Sequence, residues 1–145
     1  MDLLKSFQNW QRANRYNDLV HLGKDEFYDS SSIPRLYVLV RDDILTPIAQ
    51  GIQAAHAVAQ LAATHSYNSE TLETIQLMAN SYLILLGASE REMLKWAKRR
   101  TPDHATYTDI GLVETNGLPV MTAIAFNPML KSEGEKLFGH LRRAS

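Results

Sequence analysis

A chain of 145 residues has the length of one ordinary domain, and its 45% apolar and 21% charged residues are typical of a globular protein. The formal net charge is −1, so no overall field attracts nucleic acid or an anionic membrane, and a nucleic-acid partner would need a local basic patch. The absence of cysteine excludes a disulfide framework and thiolate zinc sites, and it suits a reducing compartment.

The sequence has no segment with the features of a membrane span or a secretory signal. No uninterrupted apolar run approaches the roughly 18 residues that a span requires. The N-terminal sequence MDLLKSFQNWQRANRYNDLV lacks the apolar core of a signal peptide. We therefore expect a cytoplasmic protein without a membrane partner.

Residues 1–33 are predicted to form an N-terminal helical extension, attached to a domain that spans residues 34–145. The apolar side chains within residues 3–10 follow helical spacing, and the stretch before Pro34 is rich in glycine, serine and charge. No side chain of the extension points to chemistry. We expect the extension to pack on the domain or on a second subunit.

Within the domain, strand and helix patterns alternate. The run at 35–40 is almost continuously apolar, which suits a strand covered on both faces, and the run at 81–88 has the same character. Thr46-Pro47 and Ser89 provide capping hydroxyls at helix starts, and Asn116-Gly117 indicates a tight turn between strands. The predicted elements are a strand at 35–40, helices at 46–65 and 68–79, a strand at 81–88, a helix at 89–100, strands at 106–113 and 118–126, and a helix at 132–142.

This order predicts the fold class. The first two strands are separated by helices and should be parallel, whereas the last two should form an antiparallel hairpin. The sequence therefore predicts an α/β protein, a three-layer α/β/α sandwich with a small four-stranded mixed sheet.

The helix at 46–65 has two distinct faces. At 100° per residue its predicted core face consists of Ile48, Ile52, Ala55, Val58, Ala59 and Ala62. Another side, about 60° wide, carries Ala49, Gln53, His56 and Gln60. The alanines around this polar stripe would let a ligand or another backbone approach closely.

Gln53 and His56 are candidates for chemistry. A glutamine and a histidine three residues apart on a helix can orient a water molecule or bind a polar ligand together. The alternative is that His56 is a half-buried histidine bonded to a backbone carbonyl, with the glutamines in solvent. The five histidines of the chain are scattered, so we expect no metal site.

Two basic clusters could contact phosphate. Lys95, Lys98, Arg99 and Arg100 lie at the end of one helix, and Lys131, Lys136, Arg142 and Arg143 lie near the C-terminus. Phosphate contacts of this kind would make binding sensitive to salt. The alternative is that these side chains complement helix dipoles and stay solvated. Trp96, between the basic residues, is predicted to be a packed helix residue rather than a platform for base stacking.

The stretch YVLVRDDILTPIAQGIQAAHAVAQL resembles the opening of type II peptidyl-tRNA hydrolases. That family has a valine-rich strand, an Arg-x-Asp-Leu turn and a helix with Ala-x-Gln-x-x-His-Ala. The residues that match are Arg41, Asp43, Ile44, Gln53, His56 and Ala57. The segment 108–111, Thr-Asp-Ile-Gly, is similar to the family's later Gln-Asp-Ala-Gly element, and the resemblance extends over about residues 35–142.

The resemblance implies an enzyme that hydrolyses the ester between a peptidyl or aminoacyl group and tRNA, without a cofactor. It implies that His56 acts as a base or orients the water. Asp109 would hold the histidine or polarise the water, and Gln53 would supply a donor. From the residues alone, Asp109 could equally be a turn-forming carboxylate at a strand end. The basic run at 95–100 would bind the tRNA, and a homodimer is implied.

Two positions depart from the family pattern. Ala49 stands where catalytic members place a lysine, and Val113 stands where they place a threonine, which Thr115 could replace only if the turn is shifted. A cation near an oxyanion contributes several kcal/mol, so its loss matters. The alternative function is therefore a non-catalytic module of the same fold that binds tRNA, other RNA or a protein.

Overall fold

The structure is a computed structural model that describes residues 33–64, 77–112 and 115–145, together with Lys5. The predicted N-terminal helical extension lies outside the described residues apart from Lys5 and Ile33. Most of the predicted helix at 68–79 lies outside them as well, although residues 77–80 are helical.

Four strands and three helices form the described domain. They are β1 (Arg35–Val40), α1 (Pro47–Thr64), β2 (Tyr82–Gly87), α2 (Glu90–Ala97), β3 (His104–Asp109), β4 (Val120–Phe126) and α3 (Lys131–Phe138). The strand order in the sheet is β2-β1-β4-β3. Strand β1 is parallel to β2 and antiparallel to β4, and β3 is antiparallel to β4. The predicted α/β class with a four-stranded mixed sheet is confirmed.

The sheet carries a hydrophobic core on each face. Helix α1 contributes Ala54, Ala57 and Leu61 to the core on one face. Helices α2 and α3 contribute Trp96 and Phe138 to the core on the other. The three layers of the predicted sandwich are thus present, and Trp96 packs in the core as expected.

Local signals predicted the helix starts correctly but not every strand end. The Ala49 amide donates to the Thr46 hydroxyl, and the Glu92 amide donates to the Ser89 hydroxyl, so both predicted caps are confirmed. The predicted strands at 106–113 and 118–126 were too long toward the turn, because β3 ends at Asp109 and β4 begins at Val120. The Asn116-Gly117 turn has positive φ at both residues, but it lies within a longer loop. The last helix also ends earlier than predicted, at Phe138.

The prediction that β2 is a buried strand was wrong for its first half. Strand β2 is an edge of the sheet, and Tyr82 and Leu83 are exposed there. Its second half is covered by the C-terminal segment, in which Arg143 bridges Leu86 and the Ala144 amide donates to the Leu85 carbonyl. The apolar sequence of β2 therefore fits the burial of its second half but not the exposure of its first two residues.

The predicted core face of α1 was wrong for most of its residues, because within that set only Val58 and Ala62 pack against the core, and both are partly buried. Ile48 is 80% exposed and Ile52 is 52% exposed. The buried residues of this helix are Gln50, Gln53, Ala54, Ala57 and Leu61. Two glutamines can be buried because both are hydrogen-bonded: Gln50 donates to the main-chain oxygens of Leu45 and Ser145, and the bonds of Gln53 are described below. None of the described helices is long and apolar enough to cross a membrane.

Candidate functional site

Gln53 is the centre of the candidate site. Its side chain lies under α1, and the residue is only 4% exposed. The Gln53 Nε2 donates to Asp109 Oδ2 at 2.9 Å, and its Oε1 accepts from the Thr122 hydroxyl at 2.5 Å. One amide thereby joins the helix to the end of β3 and the start of β4, and Gln53 does not face solvent.

Asp109 is half-exposed at the end of β3. Its Oδ1 accepts the Gly111 amide at 2.7 Å, which is the contact of a turn-forming aspartate, while Oδ2 accepts from Gln53. These two hydrogen bonds, the Gly111 bond foremost, hold the pKa of Asp109 below its usual value. A positive charge on His56 acts in the same direction. Asp109 is therefore both a turn residue and a fixed carboxylate.

A bulge in β4 directs Thr122 toward Gln53. Tyr107 pairs with Ala123 and Thr108 pairs with Met121, so Thr122 is the extra residue of β4. The Thr122 hydroxyl then lies on the α1 side of the sheet, where it is fully buried. Thr122 was not predicted from the sequence. A signal was present, because Thr122 is the one polar residue in the strand sequence VMTAIAF.

His56 lies one helical turn after Gln53 and is exposed, not half-buried. Its ring stacks on Tyr107, with centroids 4.5 Å apart and planes 11° apart. Tyr107 and Asp109 are two residues apart in β3 and therefore face α1 together. The structure thus gathers His56, Gln53 and Asp109 at the same end of the α1–β3 pair. Tyr107, which supports the histidine ring, was not identified from the sequence.

The turn after β1 carries Arg41 and Asp43, the two residues that match the Arg-x-Asp pattern of the resemblance. Arg41 is buried, and its guanidinium makes two bonds to Asp43, at 2.8 and 3.0 Å. The hydrogen bond from Arg41 is the main reason that the pKa of Asp43 is lowered. The pair holds the turn that leads into α1. Its role in the described domain is structural.

The structure describes one of the two positions that depart from the family pattern but not the other. Ala49 is partly exposed in the first turn of α1, and Val113 lies outside the described residues. The Thr115 hydroxyl lies 3.3 Å from the Leu112 carbonyl oxygen and 3.2 Å from that of Leu118. It is engaged within its own turn.

The basic run at the end of α2 does not lie beside Asp109. Lys95 is 3.6 Å from Glu92, and the Arg99 guanidinium lies 4.6 Å from the centre of the Trp96 ring. A groove of about 440 Å³ separates this run from α1, and it is lined by Leu61, Thr64, Arg99, Arg100, Asp103 and His104. His104 begins β3 and Asp109 ends it, so groove and site are about 16 Å apart. Lys98 is exposed beyond the helix end and Lys95 is half-exposed in its last turn.

The described residues of the site include an imidazole and a carboxylate, which are groups that can transfer protons. Within the described residues there is no cluster of three or more histidine, cysteine, aspartate or glutamate side chains that could hold a metal ion. An exposed imidazole beside a fixed carboxylate can accept a proton from water and be stabilised when it does so. No protein-family model matches the sequence, and no curated protein matches it.

Proposed function

We propose that this protein hydrolyses the ester that joins a peptidyl, or a related acyl, group to the ribose of tRNA. The observation that carries the proposal is the buried bridge from Thr122 through Gln53 to Asp109, with His56 one turn further along the same helix. A buried amide that fixes a half-exposed carboxylate beside an exposed imidazole is more than α1 needs for packing. Gln53, His56 and Asp109 are also among the residues on which the family resemblance rests.

In this proposal His56 accepts a proton from the attacking water. The Asp109 carboxylate, kept ionised by its hydrogen bonds, stabilises the imidazolium that forms. A carboxylate can accept about four hydrogen bonds, and Asp109 accepts them from Gln53, Gly111 and Ile110, so it keeps an acceptor position. Gln53 positions Asp109. The second N–H of the Gln53 amide remains as a donor, as the resemblance implies for Gln53.

The tRNA would bind along the α1–β3 pair. Arg99 and Arg100 line a groove about 16 Å from Asp109, and a tRNA acceptor arm is long enough to reach both places. Guanidinium groups bind phosphate with two parallel hydrogen bonds, which suits Arg99 and Arg100 for the RNA backbone. Lys95 and Lys98 add positive charge to the same helix end.

The direct test is the release of the acyl group from an N-acetylaminoacyl-tRNA by the full chain. We expect His56→Ala and Asp109→Asn to lower kcat/KM by about 10²- to 10⁴-fold, because each removes a group that acts in proton transfer. Circular dichroism of each variant establishes that the fold is retained.

His140→Ala is the matched control. His140 is also exposed, but its Nε2 lies 2.7 Å from Glu92, on the other side of the sheet. This variant should keep the activity of the unchanged chain. Turnover that is the same in His56→Ala and in the unchanged chain would reject the site assignment.

A second candidate function is a non-catalytic module that binds tRNA, other RNA or a protein. Ala49 favours it, since no cationic side chain is available at that position to stabilise an oxyanion. Salt-dependent tRNA binding without any release of the acyl group would support this alternative. Activity gained on Ala49→Lys would show that only the cation is lacking.

A further inference from the structure

An apolar groove lies between α1 and β2, on the face of the sheet that α1 covers. It has a volume of about 500 Å³. Its wall on the side of the helix includes Ala59, and its wall on the side of the sheet includes Leu83 and Leu85. Among the described residues that line the groove, Ser81 alone has a polar side chain. None of the lining residues belongs to the candidate functional site.

Part of the wall of this groove is exposed although it is apolar. Leu83 is 54% exposed. Ala55 and Ala59, one turn apart on α1, are exposed as well. A contiguous apolar surface of this kind is typical of a contact with another element. The helix side of the groove consists mostly of alanine, so large side chains of the other element are needed to fill it.

The chain enters the described domain beside this groove. The Pro34 carbonyl accepts the Tyr82 amide at 2.9 Å, which fixes the residues before β1 next to the start of β2. Ser81 and Leu83, the two neighbours of Tyr82 in the sequence, both line the groove. The chain that precedes Ile33 therefore starts next to the groove.

This preceding chain is long enough to lie along the groove. The wall on α1 extends from Gly51 to Ala62, which is about 16 Å at the helical rise of 1.5 Å per residue. Trp10 is separated from Ile33 by 22 residues, which span up to about 70 Å when extended. The length of the connection therefore allows residues 3–10 to reach any part of the groove.

Residues 3–10 carry the large apolar side chains that the groove needs. Leu3, Phe7 and Trp10 recur at intervals of four and three residues. In a helix these three side chains fall within about 60° of one another, with Leu4 beside them. An amphipathic helix docks in an apolar groove through anchors with this spacing.

We propose that residues 3–10 dock as an amphipathic helix in the groove between α1 and β2 of the same chain. Leu3, Phe7 and Trp10 pack against the alanines of α1 and against Leu83, and the contact removes both apolar surfaces from water. Of the two arrangements expected from the sequence, this is the packing of the extension on its own domain. The proposal does not depend on the hydrolase site.

The test is paramagnetic broadening of amide NMR signals in the full chain, which has no native cysteine. Arg12→Cys, on the polar side of the predicted helix, carries a nitroxide label. We expect the label to broaden the signals of Ala55, Ala59 and Leu83 and to leave that of Lys136, on the other face of the sheet, sharp. Sharp signals from all three groove residues would overturn the proposal, because this segment would then lie elsewhere.

Variants on both sides of the contact provide matched controls. Phe7→Asp should abolish the broadening, because it puts a charge into the apolar face of the segment, whereas Asn9→Asp on the opposite side should retain it. Ala59→Glu should also abolish the broadening, and Gln60→Glu, beside it but outside the groove, should retain it. Ala59 and Gln60 are both exposed, and circular dichroism establishes that each variant is folded. Broadening that persists in both Phe7→Asp and Ala59→Glu would overturn the assignment of the contact.

A mixed sample distinguishes docking within one chain from docking on a second copy. Isotope-labelled chain without the nitroxide is mixed with an equal amount of nitroxide-labelled chain at natural isotope abundance. Docking within one chain leaves the observed signals sharp. Broadening of Ala55 and Ala59 in this sample would assign the groove to the segment of a second copy and overturn the proposal.

Discussion

At the scale of single residues, Gln53 determines the geometry of the candidate site. Its amide holds Asp109 and satisfies the fully buried hydroxyl of Thr122. We expect Gln53→Leu to lower the free energy of unfolding by about 1–3 kcal/mol, because the Thr122 hydroxyl would be left in the core without its acceptor. Urea denaturation measures the change.

Gln60→Leu provides the comparison for this prediction. Gln60 lies on the same helix but is exposed, so its replacement should change the free energy of unfolding by less than about 0.5 kcal/mol. If Gln53→Leu is as mild as Gln60→Leu, the bridge does not stabilise the fold. If the bridge does stabilise the fold, adding Thr122→Val to Gln53→Leu should restore part of the lost free energy of unfolding, because both polar groups of the bridge would be gone.

The positions of Gln53 and His56 on the helix were predictable, but their environments were not. Helical spacing placed the two side chains on one stripe, and the family resemblance added Asp109. That Gln53 is buried depends on Thr122, which is distant in sequence and reaches it only through a bulge in β4. A glutamine without a known partner is expected in solvent, so burial could not be inferred from its type.

At the scale of elements, the face of α1 that packs on the sheet is not the face with the most hydrophobic side chains. Ile48 and Ile52 are exposed, whereas Gln50 and Gln53 are buried. Hydrophobicity alone favoured the side with Ile48 and Ile52, because it takes no account of hydrogen bonds. The amide of Gln50 donates to the loop before α1 and that of Gln53 accepts from β4, and these bonds compensate the burial of both. Element type follows from local pattern, while the choice of face follows from distant partners.

This orientation of α1 can be tested by stability. Ile52→Lys should change the free energy of unfolding by less than about 0.5 kcal/mol, since the side chain is half-exposed. Leu61→Ala, on the buried face, should lower it by about 2–5 kcal/mol. The opposite ranking in urea denaturation would mean that Ile52, and not Leu61, packs in the core.

At the scale of the whole molecule, the sequence predicted the class of the fold because each element carries its own signal. The parallel first pair and the antiparallel last pair follow from the lengths of their connections. The insertion of β4 between β1 and β3 depends on contacts between the two ends of the domain, as does the cover that the C-terminal segment gives β2. Such long-range arrangements leave no local pattern.

On the face of the sheet opposite α1, Glu92 of α2 contacts His140, which follows the end of α3. Glu92 Oε1 lies 2.7 Å from His140 Nε2 and accepts from Trp96 Nε1 at 3.0 Å. Partial burial acts to raise the pKa of Glu92, but the hydrogen bonds from His140 and Trp96, together with the charge of Lys95, lower it below its ordinary value of 4.5. The folded protein therefore favours the carboxylate.

This contact predicts how stability depends on pH. A carboxyl group whose pKa is lowered on folding stabilises the protein above its unfolded pKa, and this stabilisation is lost as pH falls through the folded value. We expect Glu92→Gln to lower the free energy of unfolding by about 1–2 kcal/mol at pH 6, where the carboxylate makes charged hydrogen bonds. The difference from the unchanged chain should shrink as pH falls through the lowered pKa that Glu92 has in the folded protein, because the carboxyl group then becomes protonated there as well. Glu133→Gln, in the exposed first turn of α3, should show a difference of less than about 0.5 kcal/mol at pH 6 and at pH 3. A Glu92→Gln difference that stays constant from pH 6 to pH 3 would contradict the assignment, since loss of packing alone does not vary with the ionisation of this group.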